Sequence, residues 1–293
     1  MNMMAALAPI CTLLYVGMPQ PPPFYPSEEE TGQQNKGHAN VEVFGDVGWI
    51  GPGQTSNIIV LITPDDSWHV YWKNHGASGA PTVIEIDAPD GYEIGEPLFP
   101  RPTTFRDSEG LTYGYNNPVA IFIPVTAPDS VIDGQVTFQV TTLWLACNKV
   151  CVMGEKEIDF TLSVNSHQQG PIHRDMRTSR WMSLLPRDIS DLEGGECDVI
   201  DTSLHIIGIS DLHPVRFIGV DRLGVRFGNP EIAYPEEGGF RLTIPLLLDF
   251  SLFSSDPMEI EGLLLLGRKN EDPSFVVRAI AEHDSGFNAH KGD

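Results

Sequence analysis

The sequence predicts an all-β protein made of two β-sandwich domains. From Val41 onward, short runs rich in Val, Ile, Thr and Phe are broken by Pro and Gly at the spacing of antiparallel strands. The stretch from 134 to 164 alternates cleanly, with Val136, Phe138, Val140 and Trp144 set against Thr137, Gln139 and Thr141. Ile158, Phe160, Leu162 and Val164 repeat the pattern against charged or polar neighbours, so one face is buried and the other wet. A second set of β-rich runs follows after an interruption of about 25 residues, which divides the chain into two cores.

Taken in order, residues 1–18 hold an apolar run, MMAALAPICTLLYVGM, of about the length of a signal-peptide core. No Lys or Arg precedes it and no A-x-A site follows, yet it is too short and too interrupted by Pro9 for a membrane span. We read it as an export leader, an alternative use being a membrane tether at the N-terminus. Residues 19–40, rich in Pro, Glu and Gln, cannot bury enough apolar surface to offset ordering and read as a disordered tether. Residues 41–165 form the first sandwich, through SNIIVLIT, PTVIEIDA, VAIFIPVTA, QVTFQVTTLWLA and EIDFTLSV. Residues 166–190 are a linker in which MRTSRWMSLLP offers a short amphipathic helix stopped at Pro186. Residues 191–283 form a second sandwich, from SLHIIGIS to FVVRAIAE, and 284–293 a tail. LLLDFSLF and GLLLLG are continuous apolar runs, and flanking Gly, Pro and Asp favour strand over buried helix.

The net charge of -22 is spread over both halves, and a surface of that sign repels phosphate backbones, which argues against nucleic-acid binding. There is no HExxH, recurring CxxC, GxSxG elbow, P-loop or dinucleotide fingerprint in the sequence, so a hydrolase or nucleotide enzyme has no positive support. The chemistry therefore falls to the cysteines. Of the four, Cys11 belongs to the leader, and Cys197 sits in EGGECDVID, read as an acidic loop that raises an incidental thiol's pKa. That leaves Cys147 and Cys151.

Along one straight strand these two would be about 13 Å apart, at ~3.3 Å per residue, whereas a disulfide needs Cα atoms within roughly 7 Å. They can bond only if Asn148, Lys149 and Val150 form the tip of a hairpin with the cysteines opposed at its neck. So small a loop removes little unfolded-chain entropy, which weakens the case for a purely structural staple. Lys149 could favour a thiolate, although a lysine at a hairpin tip is ordinary surface chemistry. On residues alone, a structural disulfide, a redox-active pair and a metal-binding pair all stay open.

Three separated motifs carry a resemblance. WHVYWKNHGASGAPTVIEIDAPDGYEIGEPLFPRP (68–102) looks like a Trp-His-x-Tyr-Trp-x-Asn block with its Ser-Gly-x-Pro continuation. LTYGYNNPVAIFIPV (111–125) looks like a Tyr-Gly-Tyr strand pair, and LWLACNKVCVMGEKEIDFTL (143–162) like a redox hairpin. In this order they resemble the N-terminal periplasmic domain of the thiol:disulfide interchange protein DsbD, particularly its ScsB-type relatives. The region from 191 onward is similar, more loosely, to the second β domain of ScsB-type proteins.

The resemblance implies immunoglobulin-like sandwiches and, at Cys147 and Cys151, a redox pair of the protein-disulfide reductase type with no organic cofactor. Such a pair accepts electrons from a membrane thiol reductase and passes them to oxidised, thioredoxin-like periplasmic proteins. In those relatives the reductase is a multi-helix continuation of the chain; with none in this sequence, the donor is expected in trans. The resemblance also implies a cap loop, here near 103–112, with Phe105 or Leu111 as the shielding side chain and Tyr113 and Tyr115 lining the site. Two alternatives remain. Cys147, Cys151, Met153 and His75, with His69 nearby, could offer soft ligands to Cu(I) in copper tolerance. Alternatively, the fold could serve as a non-catalytic interaction module.

Overall fold

The computed structural model describes residues 37–106, 108–167, 176–220, 222–235, 238–249 and 257–282. The expected leader, most of the tether, the C-terminal tail and residues 168–175 of the linker lie outside them. The chain is nearly all β. The first half contains β1 (Ala39–Gly45), β2 (Trp49–Ile50), β3 (Thr55–Pro64), β4 (His69–Gly76), β5 (Val83–Asp87) and β6 (Glu93–Ile94). It continues with β7 (Thr103–Arg106), β8 (Leu111–Tyr115), β9 (Val119–Thr126), β10 (Gly134–Cys147) and β11 (Cys151–Val164). One sheet runs β1-β3-β9-β6 and the other β2-β11-β10-β4-β8-β7, with β5 also paired to β10.

The alternation read from the sequence is the sandwich's packing rule. Val60, Ile62, Ile121 and Ile123 from one sheet meet Val70, Trp72, Phe138, Val140, Trp144 and Leu162 from the other. Burying this apolar surface is the main force holding the two sheets face to face. One polar pair is enclosed with it: both Asp46 carboxylate oxygens accept hydrogen bonds from Asn57, one from its backbone N–H at 2.8 Å and one from its side-chain amide at 2.6 Å. Residues 37–40, assigned to the tether by composition, correct that reading. Ala39 already pairs with Pro64, and Gly37 is buried with its carbonyl accepting from Trp144 Nε1 at 2.7 Å. His38 stacks on Trp68 at 3.6 Å between ring centroids. Contacts with distant strands, invisible to composition, order this segment.

In the linker, a helix of one turn, α1 (Ser179–Met182), follows a 3-10 turn at Met176–Thr178. Trp181, Met182 and Leu185 lie on Ile59, Ala120 and Phe122. The β9 run VAIFIPV is thus buried on both faces, Ile121 and Ile123 toward the core and Ala120 and Phe122 under the linker.

The second half contains β12 (Arg187–Asp188), β13 (Glu196–Ile200), β14 (Ser203–Gly208), β15 (Pro214–Gly219) and β16 (Val225–Phe227). It ends with β17 (Glu231–Ala233), β18 (Phe240–Leu248), β19 (Met258–Leu266) and β20 (Ser274–Ala281). The sheets are β12-β20-β19-β15 and β13-β14-β18-β16, with β17 also on β18. Pairing begins at Arg187, ahead of the expected start at 191, and Ile189 is already in the second core. The run GLLLL of β19 is a strand buried on both faces. Leu264 and Leu266 enter the second core, while Leu263 and Leu265, with Ile218, join the cluster of the first sandwich. The two sandwiches therefore share an apolar seam, flanked by Asn74 donating to the Gly219 carbonyl at 2.6 Å and by a Lys73–Glu261 ion pair at 3.3 Å.

Candidate functional site

β10 and β11 are paired without interruption from Gly134–Val164 to Cys147–Cys151, so the last rung of the ladder is the cysteine pair itself. Asn148, Lys149 and Val150 form the exposed tip, with the Asn148 amide donating to the Val150 carbonyl at 3.0 Å. The cysteines are bonded, their Cα atoms 4.2 Å apart. The chain reversal brings together what a straight strand would hold about 13 Å apart.

The two sulfurs have different surroundings. Cys147 is 3% exposed, while Cys151 is exposed, beside exposed Val150 and Met153. Burial of Cys147 comes from β4, which pairs with the end of β10 through Val70–Ala146 and His69–Cys147. On the inner face, Trp144 is 1% exposed and lies against Gly154 directly across the ladder. A bulky pillar thus stands beneath the neck of the hairpin.

Strand parity decides which neighbours share a face with the disulfide. Paired residues point the same way, so His69 sides with Cys147, and Tyr71, two residues on, does too. Tyr71 pairs with Gly114, and the alternate pair Thr112–Phe105 falls on that same face. The rings agree: Phe105 stacks on His69 at 4.6 Å and Tyr71 meets His69 edge-on at 5.2 Å. Gly114 lies between β7 and β4 on this face with no side chain to obstruct Phe105, and a Cβ there would come within 2.2 Å of the Val70 carbonyl oxygen. The glycine of the Tyr-Gly-Tyr motif has a steric reason.

Leu111, Tyr113 and Tyr115 have the opposite parity and do not join the disulfide. Tyr115 is 6% exposed in the first core and donates its hydroxyl to the Pro100 carbonyl at 2.7 Å. Burial pushes its phenol well above the ordinary value. Tyr113 packs edge-on against Trp72 at 6.5 Å, and Leu111 pairs with Arg106 near the hairpin's far end.

The residues proposed for Cu(I) are not gathered. His75 stands at the other end of β4, its Nδ1 3.1 Å from the Ser78 carbonyl, and in the disulfide state the cysteines present no thiolates. Among the described residues no group of three or more His, Cys, Asp and Glu is arranged around a common point. A cavity of about 740 Å3 lies between the sandwiches along Trp72, Leu98 and Glu261, and its lining includes neither cysteine.

Cys197 corrects the loop reading. It lies on β13, half-buried, with its thiol 3.1 Å from the Arg278 carbonyl. Burial, more than the nearby Asp188 and Asp198, pushes the thiol up. One residue near the site had no sequence signal beyond a basic side chain between two prolines. Arg101, 7% exposed, starts the segment leading into β7 and bonds to the second sandwich.

Residues 41–163 match the family described as thiol:disulfide interchange protein DsbD, N-terminal. The crystal structure of the N-terminal periplasmic domain of ScsB from Proteus mirabilis aligns over 84% of this chain and 94% of that chain, at 17% identity and a TM-score of 0.52. Its coverage includes both sandwiches, and at that identity the likeness is one of fold. The reduced N-terminal domain of DsbD from Neisseria meningitidis aligns over 46% of this chain and 90% of that chain, at 15% identity and a TM-score of 0.28. No curated protein matches. The part of the chain that matches the DsbD N-terminal family is therefore the first sandwich, with its cysteine pair at the neck of the β10–β11 hairpin.

Proposed function

We propose that the Cys147–Cys151 disulfide is a reversible exchange site in an exported protein. It takes reducing equivalents from a membrane thiol reductase and delivers them to oxidised, thioredoxin-like exported proteins. The observation that carries this reading is the asymmetry of the pair: one sulfur reachable at a loop end, the other 3% exposed beneath β4. A structural clip has no use for such asymmetry, whereas exchange needs one attackable sulfur and one protected leaving group. The family match supports the chemistry, and disulfides of exported proteins live in compartments where exchange partners operate.

In the reductive half, a donor thiolate attacks Sγ of Cys151, the Cys147–Cys151 bond breaks, and Cys147 leaves as a thiolate that takes up a proton. The donor's second thiolate then attacks its own sulfur in the mixed disulfide and releases Cys151 as a thiolate, which is also protonated. Two electrons enter the pair and the donor leaves as a disulfide. In the oxidative half, the Cys151 thiolate attacks an acceptor disulfide, and Cys147, as a thiolate, resolves the mixed disulfide. Both electrons are carried by sulfur, without an organic cofactor.

The test is alkylation and mass spectrometry of the full chain across a redox-buffer titration, together with single Cys→Ser variants. Exchange predicts a defined midpoint, mixed disulfides accumulating in Cys147→Ser, where the exposed thiol survives, and few in Cys151→Ser. A pair that stays oxidised at every accessible potential would falsify the proposal and make it a clip.

A further inference from the structure

The hairpin that brings Phe105 to the disulfide's face is not held by the first sandwich alone. Arg101, two residues before β7, is buried and forks across the β19–β20 turn of the second sandwich. Its Nη1 donates to the carbonyls of Leu266, Asp272 and Pro273, the last two at 3.2 Å, and its Nη2 to that of Gly267 at 3.0 Å. A guanidinium is suited to this because its fixed, planar donors can serve several acceptors at once. The turn that receives it is shaped for the purpose. Gly267 has φ +61°, and a Cβ there would fall 2.1 Å from Asp272 Oδ2. The Asp272 carboxylate in turn accepts from the Lys269 amide at 2.8 Å.

The same root is fastened twice more. Thr103 Oγ1 donates to Asn270 Oδ1 of that turn at 3.3 Å. On the other leg, Tyr115 at the end of β8 donates to the Pro100 carbonyl at 2.7 Å. Both legs of the β7–β8 hairpin are therefore pinned at the base, one of them through residues more than 160 positions away. From Arg101 to Phe105 is about 13 Å of extended chain, at ~3.3 Å per residue.

We propose that the second sandwich is the anchor of the cap. Arg101 and the β19–β20 turn fix the root of the β7–β8 hairpin and so limit how readily Phe105 leaves His69 and exposes the disulfide. Arg101 is a positioning residue in this scheme, touching neither sulfur. The inference rests on the exchange reading for its functional meaning, but the anchoring itself does not.

Three variants of the full chain test it: Arg101→Met, which keeps length and loses every donor, Asn270→Ala, which removes the Thr103 contact, and Lys73→Met, which breaks an interdomain ion pair made from β4 and not from the hairpin itself. Amide hydrogen exchange over 103–106 and 111–115 and the rate of disulfide reduction by dithiothreitol are measured with thermal unfolding as a fold check. Arg101→Met should accelerate both by about tenfold, the order expected when charge-assisted hydrogen bonds are lost from a local opening. Asn270→Ala should give about two- to threefold, as for one weaker neutral bond, and Lys73→Met neither. Asn270→Ala decides the matter if Arg101→Met does not fold. Unchanged hairpin exchange in a folded Arg101→Met protein overturns the proposal, as does equal acceleration in Lys73→Met, which would mean general loosening of the domain seam. Hydrogen exchange involves no redox step, so it judges the anchor even if the titration shows the disulfide to be a clip.

Discussion

Replacing Gly154 with alanine should destabilise the first sandwich by about 2–4 kcal/mol, combining overpacking with a lost indole hydrogen bond. A Cβ at this position would lie 2.2 Å from Cε2 and 2.3 Å from Cζ2 of Trp144, whose ring is 1% exposed and cannot tilt into solvent. Gly37 crowds the same spot, since its own Cβ would meet the Gly154 Cα at 2.4 Å and Trp144 Nε1 at 2.8 Å. Any shift of the indole also pulls Nε1 from the Gly37 carbonyl, now 2.7 Å away. Inserting a methyl into such a site costs about 1–3 kcal/mol, and the hydrogen bond about 1 kcal/mol more. Urea unfolding followed by tryptophan fluorescence measures this well. Trp49, Trp68, Trp72 and Trp144 belong to the first sandwich and Trp181 packs on it, so the signal reports chiefly on the first, with Trp72 also lining the cavity between the sandwiches. With a slope of about 2 kcal/mol per molar urea, the midpoint should fall by about 1–2 M. In the double variant with Trp144→Phe the smaller ring relieves the clash, so the combined loss should be less than the sum of the two single losses. A change below about 0.5 kcal/mol, the range of inert surface substitutions, would refute the picture of a closed Gly37–Trp144–Gly154 stack.

Other outcomes follow from the same structure. Phe105→Ala should speed reduction of the disulfide by dithiothreitol about two- to tenfold, because a stacked ring pair contributes about 0.5–1.5 kcal/mol; an unchanged rate would separate the ring from access to the sulfurs. Asp46→Ala should cost about 2–5 kcal/mol in urea unfolding, leaving the Asn57 amide and side chain without their buried acceptor. Asp46→Asn, which keeps one carbonyl oxygen, should fall between it and wild type. Cys197 should react slowly with iodoacetamide near pH 8. Its folded pKa is raised, so the thiolate is scarcer than in the unfolded chain, and the native rate should climb toward the denatured rate only as pH rises through the folded value. Native Cys197 labelling as fast as denatured at pH 8 would contradict its burial.

Alternation of side chains along 134–164 and the four-residue spacing of two cysteines were enough to place a hairpin with a closable neck, because both depend only on local strand geometry. The same local rules misjudged residues 37–40, whose polar composition is overruled by pairing with β3 and by the Trp144 indole. They also read GLLLLG and VAIFIPV as strands without saying what covers each face. Each strand turns out to be covered on both sides, one by the other sandwich and one by the linker. Which sulfur is buried was undecidable from spacing, since it depends on β4 lying beside β10 and not on either cysteine's neighbours in the chain. Parity within β8 separated Tyr113 and Tyr115 from the disulfide only once the register with β4 and β7 was known. Arg101 marks the limit most plainly. Its four acceptors lie 165 to 172 residues away in a turn of the other sandwich, and only the folded chain brings donor and carbonyls within reach.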